Sequence, residues 1–233
     1  MDVDDQPGFD PRLAWAVQGG TRLALACPVL VVVDLLRFTT AVEVAVTSGA
    51  QVVPERWPGT GPPASAGEEP GRRAFSLSPA SLAGVAAGSR VVLASPNGAT
   101  VSLAAAEAGA VVLAGCLRNA SAVAAAARDL GGPVGVVAAG ELRHDGSLRP
   151  AVEDLIGAGA VLHALGGHPS PEARAAVAAF LDAAPDLPSV LASCASGREL
   201  AARGLAADLR LAAAHDVSRT VPRLGGGAFA QLS

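Results

Sequence analysis

The chain has 233 residues, of which 51% are hydrophobic and 3% aromatic, and its formal net charge is −4. This length and apolar content allow one large domain or two small ones, while the acidic balance and the lack of basic runs disfavour a nucleic-acid partner. All 17 basic residues are arginines. Schiff-base and P-loop lysine chemistry are thereby excluded, so anions must be bound by arginine, backbone N–H groups or a metal.

Targeting and redox signals favour the cytoplasm. The N-terminus is acidic and lacks the basic and apolar blocks of a signal peptide. The most apolar run, residues 23–36, is interrupted by Pro28 and Asp34 and is too short to span a membrane. The 3 cysteines lie far apart and the 4 histidines lack metal-ligand spacing, so neither a disulfide framework nor a zinc site is expected.

Four strand–turn–helix units follow one another along the chain. Each begins with a short apolar run, reaches a polar or glycine-containing turn, and continues into an alanine-rich helix. Strands that are apolar throughout are typical of a sheet covered on both faces. The pattern predicts an α/β fold with a largely parallel, mixed sheet and helices on both faces. The predicted strands are residues 29–33, 90–94, 110–114 and 134–138, and the predicted helices are residues 40–47, 100–108, 120–130 and 151–165.

The remaining segments give weaker patterns. Residues 54–79 are rich in proline and predict an extended loop or an active-site flap. We expect a single α/β unit over residues 1–233, and the sequence leaves open a division into subdomains of about 1–165 and 166–233, as well as a homodimer. Helices are predicted at residues 171–183, 197–203 and 206–214, and a last short strand followed by a loose tail begins at residue 220.

The first unit carries two residues suited to anion chemistry. In open α/β sheets ligands bind beyond the carboxyl ends of the strands, so the four turns are expected to face one crevice. Asp34 follows the first predicted strand and is suited to bind Mg²⁺ or to act as nucleophile or base; the alternative is an N-cap. Arg37 can clamp a phosphate or sulfonate beside the N–H groups of the helix start, and the alternative is a salt bridge to Asp34.

Five further residues at the turns are candidates for substrate binding. Thr39 and Thr40 either donate their hydroxyls to an oxyanion or cap the helix. Asn97 and Gly98 form a turn whose successive N–H groups can cradle an anion, or which merely connects a strand to a helix. Asn119 also precedes a helix, where N-capping is the simpler interpretation.

Two adjacent acids, Glu153 and Asp154, open the helix that follows the fourth strand. Acids in a first turn interact favourably with the helix dipole, which is one interpretation. A carboxylate pair also suits Mg²⁺, which binds few protein carboxylates and completes its shell with water and substrate phosphate. Glu153, Asp154 and Asp34 are thus the candidate metal ligands, with activation of the attacking water as the alternative role of Asp34, and these three residues with Arg37 are the candidate catalytic residues.

Five segments, in order, resemble motifs of the 2-phosphosulfolactate phosphatase family. Residues 34–40 resemble its Asp-Val-Leu-Arg signature, and residues 95–100 resemble its Thr-Thr-Asn-Gly-Thr turn. Residues 115–120 resemble its Gly-Ser-Phe-Leu-Asn-Ala element, and residues 139–159 and 196–208 resemble its later segments. Each motif alone is weak, but the five occur in the family's order over roughly residues 25–225.

The resemblance implies a Mg²⁺-dependent phosphomonoester hydrolase with an α/β fold. Its small anionic substrate would be (2R)-2-phospho-3-sulfolactate, which is cleaved to sulfolactate and phosphate. The proline-rich segment departs from the family pattern, because Ser76 stands where the family has an aspartate. Two alternatives follow from this departure: a phosphatase for another phosphorylated hydroxy acid, and a non-catalytic anion-binding protein on the same scaffold.

Overall fold

A mixed β-sheet runs through the part of the chain that the computed structural model describes, residues 5–57 and 76–232. In chain order the strands are Arg12–Trp15 (β1), Val29–Val33 (β2), Gln51–Arg56 (β3), Arg90–Ser95 (β4), Val111–Ala114 (β5), Val134–Ala138 (β6), Glu141–Leu142 (β7), Leu148–Arg149 (β8), Pro222–Gly225 (β9) and Ala228–Gln231 (β10). The helices are Ala16–Ala24 (α1), Phe38–Thr47 (α2), Pro79–Leu82 (α3), Gly98–Glu107 (α4), Ala120–Asp129 (α5), Val152–Leu165 (α6), Pro171–Ala183 (α7), Leu187–Ser193 (α8), Ala195–Ala202 (α9) and Ala206–Ala212 (α10).

The strand β2 lies inside the sheet, and its surroundings explain why its sequence is apolar throughout. Val29, Val31 and Val33 pack in the core formed with α5, α6 and α7. Leu30 and Val32 pack in the core formed with α1, α2 and α4. Successive side chains of a strand point to opposite faces, so both faces of this sheet are covered by helices. The predicted α/β class with helices on both faces is confirmed.

The sheet has the order β1-β6-β2-β5-β9-β10-β3-β4, and β7 pairs with β8 in a separate small hairpin. The pairs β1–β6, β6–β2, β2–β5 and β3–β4 are parallel, whereas the hairpin β9–β10 pairs antiparallel with its neighbours on both sides. The largely parallel, mixed sheet is therefore confirmed. The four strand–turn–helix units are also confirmed, with boundaries within 2 residues of those predicted.

The C-terminal hairpin corrects the expectation of a loose tail. Gly225 pairs with Ala228, so Gly226 and Gly227 form a two-residue turn, and both have positive φ, at 57° and 81°. Such a turn matches the twist of the flanking strands and favours glycine. The hairpin lies between β5 and β3, where it joins the two parallel parts of the sheet. Its Phe229 is fully buried and contacts Phe38 edge-on.

The proline-rich segment also needs correction at its two ends. Pro54 lies inside β3, which is parallel to β4 over its whole length. The other edge of β3 pairs with β10 only at Val52, so the missing N–H of Pro54 interrupts no hydrogen bond there. Pro79 begins α3. The rest of the predicted loop, residues 58–75, lies outside the described residues.

The helices after residue 166 pack on the same core as the sheet. Ala173, Ala176 and Phe180 of α7 belong to the buried core that contains α6. Within the described ranges, Pro171–Ser193 is long and apolar enough to cross a membrane by length and composition, with a mean hydropathy of 1.3. A core helix passes the same test, and a 3₁₀ turn at Ala184–Asp186 separates α7 from α8. A subdomain boundary near residue 165 stays a prediction.

Candidate functional site

Asp34 stands at the end of β2 with its carboxylate held by backbone N–H groups. Oδ1 accepts a hydrogen bond from the Phe38 N–H at 3.2 Å, and Oδ2 accepts one from the Gly98 N–H at 2.7 Å. The Ser95 hydroxyl lies 3.4 Å from Oδ2. Burial raises the pKa of Asp34, these hydrogen bonds oppose the rise, and the Glu153 charge adds to it. The carboxylate therefore accepts the first N–H of α2 and joins the ends of β2 and β4. The N-cap position of the helix is Arg37, so the alternative that placed Asp34 there is wrong.

Gly98 is required by this contact with Asp34. A Cβ at position 98 would lie 2.6 Å from Asp34 Oδ2 and 2.5 Å from a ring carbon of Phe38, so any larger residue would push the helix start away from the carboxylate. The pairings of the sheet make β4 run opposite to β2. The turn after β4 nevertheless contacts the end of β2, because the Gly98 N–H donates to Asp34 Oδ2.

The two threonines stabilise the turn after β2 from inside. The Thr39 hydroxyl donates to the Asp34 carbonyl at 2.9 Å and accepts from the Asp34 N–H at 3.1 Å. The Thr40 hydroxyl donates to the Leu35 carbonyl at 2.8 Å. Both side chains are fully buried. Both hydroxyls bond the backbone of the turn and α2 has no side-chain hydrogen bond at its N-cap, so the helix-capping interpretation is wrong and oxyanion binding stays a prediction.

Asp154 and Glu153 lie next to Asp34 but have different surroundings. Asp154 Oδ1 accepts from the Leu35 N–H at 2.7 Å and Oδ2 accepts from the Gly140 N–H at 2.8 Å, so this side chain ties the end of β2 to the end of β6. Burial raises the pKa of Asp154 well above its ordinary value, and the charges of Asp34 and Glu153 raise it further. Glu153 Oε2 is buried and has no hydrogen-bond partner. Both side chains are almost completely buried.

These three carboxylates have no cationic partner in the described part of the chain, where the ion pairs involve other acids. Buried charges are normally paired or bound to a metal, and a buried oxygen without a partner needs an explanation. The donor set, hard oxygens only, suits Mg²⁺. No group of three or more His, Cys, Asp or Glu side chains in residues 5–57 and 76–232 is close enough to hold a metal ion. A cation here would therefore need ligands from water or substrate.

A cleft of about 650 Å³ opens above Asp34. Its walls come from the ends of β2 and β4, the β7–β8 hairpin and α9. Of the predicted site residues, Asp34, Arg37 and Asn97 line it. The others, Thr39, Thr40, Gly98, Asn119, Glu153 and Asp154, do not line this cleft.

Arg37 projects into the cleft and pairs with an acid that sequence reasoning did not connect with it. Its Nη1 donates to Asp208 Oδ2 at 3.0 Å, so the expected alternative partner, Asp34, is not the one found. The Arg37 side chain is 13% exposed and Asp208 is 1% exposed. The peptide bond between Leu36 and Arg37 is cis. Arg37 is thus a predicted anion-binding residue that lines the cleft.

Asn97 and Asn119 have separate roles. Asn97 lines the cleft, and its side-chain oxygen accepts from the Leu142 N–H at 3.0 Å, which connects the α4 start to the β7–β8 hairpin. Asn119 is fully buried: its side-chain oxygen accepts from the Cys116 N–H, and its amide donates to the carbonyls of Ala114 and Thr220. The side chain of Asn119 thus connects β5 to the segment before β9.

Three further charged residues, Glu141, Arg143 and Arg203, line the cleft. Burial raises the pKa of Glu141, and the charge of Asp34 adds to the rise. Glu141 comes three residues after the fourth predicted strand, and a polar residue in that turn is a sequence signal for the crevice. The two arginines carry no such signal, because only the fold brings the β7–β8 hairpin and α9 to the same cleft.

The raised pKa values of Asp34 and Asp154 predict how stability depends on pH. Both carboxyls bind a proton more readily when folded than when unfolded, so their contribution to the free energy of unfolding should fall as pH rises from about 4. Asp154→Asn removes part of this effect, although one N–H loses its acceptor at every pH. In urea unfolding with EDTA, the variant should therefore gain stability relative to the wild type as pH increases. Parallel pH profiles would contradict this expectation.

Comparison with known proteins gives a family match. A family model described as 2-phosphosulpholactate phosphatase matches residues 64–227, which is more than half of the chain. The match includes Asn97, Glu153, Asp154 and Asp208 and begins after the segment that carries Asp34. No curated protein matches the chain. The chain belongs to the 2-phosphosulpholactate phosphatase family and is a phosphatase.

Proposed function

We propose that this protein is a Mg²⁺-dependent phosphomonoester hydrolase that cleaves 2-phospho-3-sulfolactate to sulfolactate and phosphate. The observation that supports the proposal is a cluster of three buried carboxylates, Asp34, Glu153 and Asp154, which has no cationic partner among the described residues. One of the three, Asp34, lines a cleft whose walls also carry arginines. The buried carboxylates suit a bound metal ion, and the arginines of the cleft suit an anionic substrate.

Asp34 and Glu153 are the residues that would hold Mg²⁺, and Asp154 is the third carboxylate of the cluster. Glu153 offers an oxygen that lacks a partner, and Asp34 is the acid of the three that lines the cleft. When bound, Mg²⁺ polarises the phosphoryl oxygens and orients the attacking water. The oxygens of Asp34 and of Asp154 all accept backbone N–H groups, but Asp34 lines the cleft and Asp154 does not. The main effect of Asp154 would therefore be to hold the ends of β2 and β6 together.

The protein's own groups then act on the substrate. Arg37 would bind the phosphoryl group through the N–H groups that Asp208 leaves available, because a guanidinium has five donors and can bind oxyanions bidentately. Arg143 and Arg203, on other walls of the cleft, would bind the sulfonate and carboxylate. Asp34 is the carboxylate that can contact the attacking water or the phosphorus.

The same proposal includes a cytoplasmic location and a small-molecule partner. All three cysteines are free thiols, and all are buried. Burial raises the pKa of Cys116 to about 12 and that of Cys27 to about 11, so neither is a reactive thiolate at neutral pH. A homodimer remains part of the proposal, and sedimentation of the purified protein would test it.

A second substrate class is favoured by Ser76. This residue replaces the aspartate of the family motif, and its hydroxyl accepts from the Ser78 N–H at 3.2 Å. The next residue, Leu77, lines the cleft. A neutral, short side chain beside the cleft wall would change which acid group is accepted next to the phosphate. A different phosphorylated hydroxy acid is therefore the alternative substrate.

The test is phosphate release by the purified protein from a panel of phosphorylated hydroxy acids that includes 2-phospho-3-sulfolactate. We expect turnover with Mg²⁺ and its loss in EDTA, restored by added Mg²⁺. Preference for another member of the panel would favour the alternative substrate. Stabilisation by anions, without turnover on any member and without an effect of Mg²⁺, would instead favour a non-catalytic anion-binding protein.

A further inference from the structure

We infer that Asp208, a buried acid of α10, is a positioning residue of the phosphate site. It accepts hydrogen bonds from two directions. Oδ2 accepts from Arg37 Nη1 at 3.0 Å, and Oδ1 accepts from the Ser78 hydroxyl at 2.6 Å and from the Ala80 N–H at 3.1 Å. One carboxylate thus connects the turn after β2, the start of α3 and α10, which lie far apart in sequence.

The contact determines where the guanidinium of Arg37 points. Asp208 is the only ion-pair partner of Arg37 in residues 5–57 and 76–232. An arginine side chain has several rotatable bonds, and a charge-assisted hydrogen bond to an immobile acceptor selects one of its orientations. Because Asp208 is 1% exposed and receives two further hydrogen bonds, it is such an acceptor. Arg37 is thereby held at the cleft wall, and its other side-chain N–H groups have no acceptor within residues 5–57 and 76–232.

The inference rests on the proposed function, in which Arg37 binds the phosphoryl group. The Asp208→Asn variant distinguishes the contact with Arg37 from the contacts with Ser78 and Ala80. The asparagine oxygen can still accept from Ser78 and Ala80, whereas its amide group would face the Arg37 donor, where two N–H groups oppose each other. The variant should therefore keep the α3 start in place and release Arg37.

The expected result is a KM for phosphorylated substrate that rises about 10- to 100-fold, with kcat changed by less than about threefold. A merely structural role would lower the active fraction and leave KM unchanged. In an Arg37→Ala background the Asp208→Asn change should have no further effect on KM, because the group that Asp208 positions is gone. The matched control is Asp216→Asn, whose carboxylate accepts from Ser121 outside the cleft and whose KM should equal that of the wild type.

Binding of inorganic phosphate, measured by calorimetry on the same proteins, separates this inference from the proposed function. A wild type that binds phosphate without turnover would contradict the function, and weaker binding by Asp208→Asn would still support the positioning role. Equal phosphate affinity or equal KM in wild type and variant would overturn it, as would a wild type that neither binds nor hydrolyses. Asp208→Glu keeps the charge, should give intermediate values, and replaces Asp208→Asn if the latter does not fold.

Discussion

Asp34→Asn is expected to lower phosphate release about 10²- to 10⁴-fold. The change removes the one acid of the buried cluster that lines the cleft, while the asparagine oxygen can still accept the hydrogen bond from Gly98. The variant should therefore fold normally and lose most of its phosphatase activity. The measurement is kcat/KM for the best substrate of the panel at saturating Mg²⁺, with circular dichroism to confirm folding.

A matched control for Asp34→Asn is Asp145→Asn. Asp145 lines the outer part of the same cleft, is exposed, and accepts hydrogen bonds from Ser147 within its own turn. The same chemical change there should leave kcat/KM within about threefold of the wild type, because an exposed charge interacts weakly through solvent. Comparable losses of kcat/KM in both variants, or a fully active Asp34→Asn protein, would show that Asp34 has no specific role in catalysis.

Arg118→Met is expected to reduce the free energy of unfolding by about 3–5 kcal/mol. Arg118 Nε donates to Glu43 Oε2 at 2.5 Å, and Glu43 is completely buried in α2. Removal of the arginine leaves a buried carboxylate whose other oxygen accepts from the Thr47 hydroxyl, at 2.8 Å. The uncompensated charge is what makes the loss large. Urea unfolding of the wild type and the variant at neutral pH measures this loss of the free energy of unfolding.

The exposed pair between Arg56 and Glu107 provides the comparison for Arg118→Met. These side chains are 46% and 63% exposed, so Arg56→Met should change the free energy of unfolding by less than about 1 kcal/mol. The double variant Glu43→Gln/Arg118→Met should recover much of the loss, since no charge is then left buried. Equal effects of Arg118→Met and Arg56→Met would show that burial does not set the strength of the first pair.

The parts of the fold that the sequence predicted are those whose pattern is local. The valine run of β2 is apolar because both faces are covered, and the glycines after α2, α4 and α5 end those helices within the chain itself. The hairpin β9–β10 gave only a weak signal, because its strands are short and its position between β5 and β3 depends on partners more than 100 residues away. The sequence pattern consequently predicts a loose tail at these glycines.

The candidate site likewise contains residues that a local sequence pattern predicts and residues that it does not. The turn containing Asp34 could be predicted because a polar residue at the end of an apolar strand is a local signal. The partner of Arg37 could not, because Asp208 lies 171 residues away and reaches it only through the packing of α10. Asp154 was grouped with Glu153 as a metal ligand, yet its oxygens accept the N–H groups of Leu35 and Gly140, which no sequence spacing indicates.

The most direct test of the central claim is a crystal structure of the protein soaked with Mn²⁺ and inorganic phosphate, with anomalous data collected to locate the metal. Mn²⁺ accepts the same oxygen ligands as Mg²⁺. The account predicts one ion in contact with Asp34 and Glu153, and a phosphate that touches both the ion and Arg37. A phosphate bound in the cleft with no ion beside these carboxylates, or an ion bound elsewhere, would contradict it.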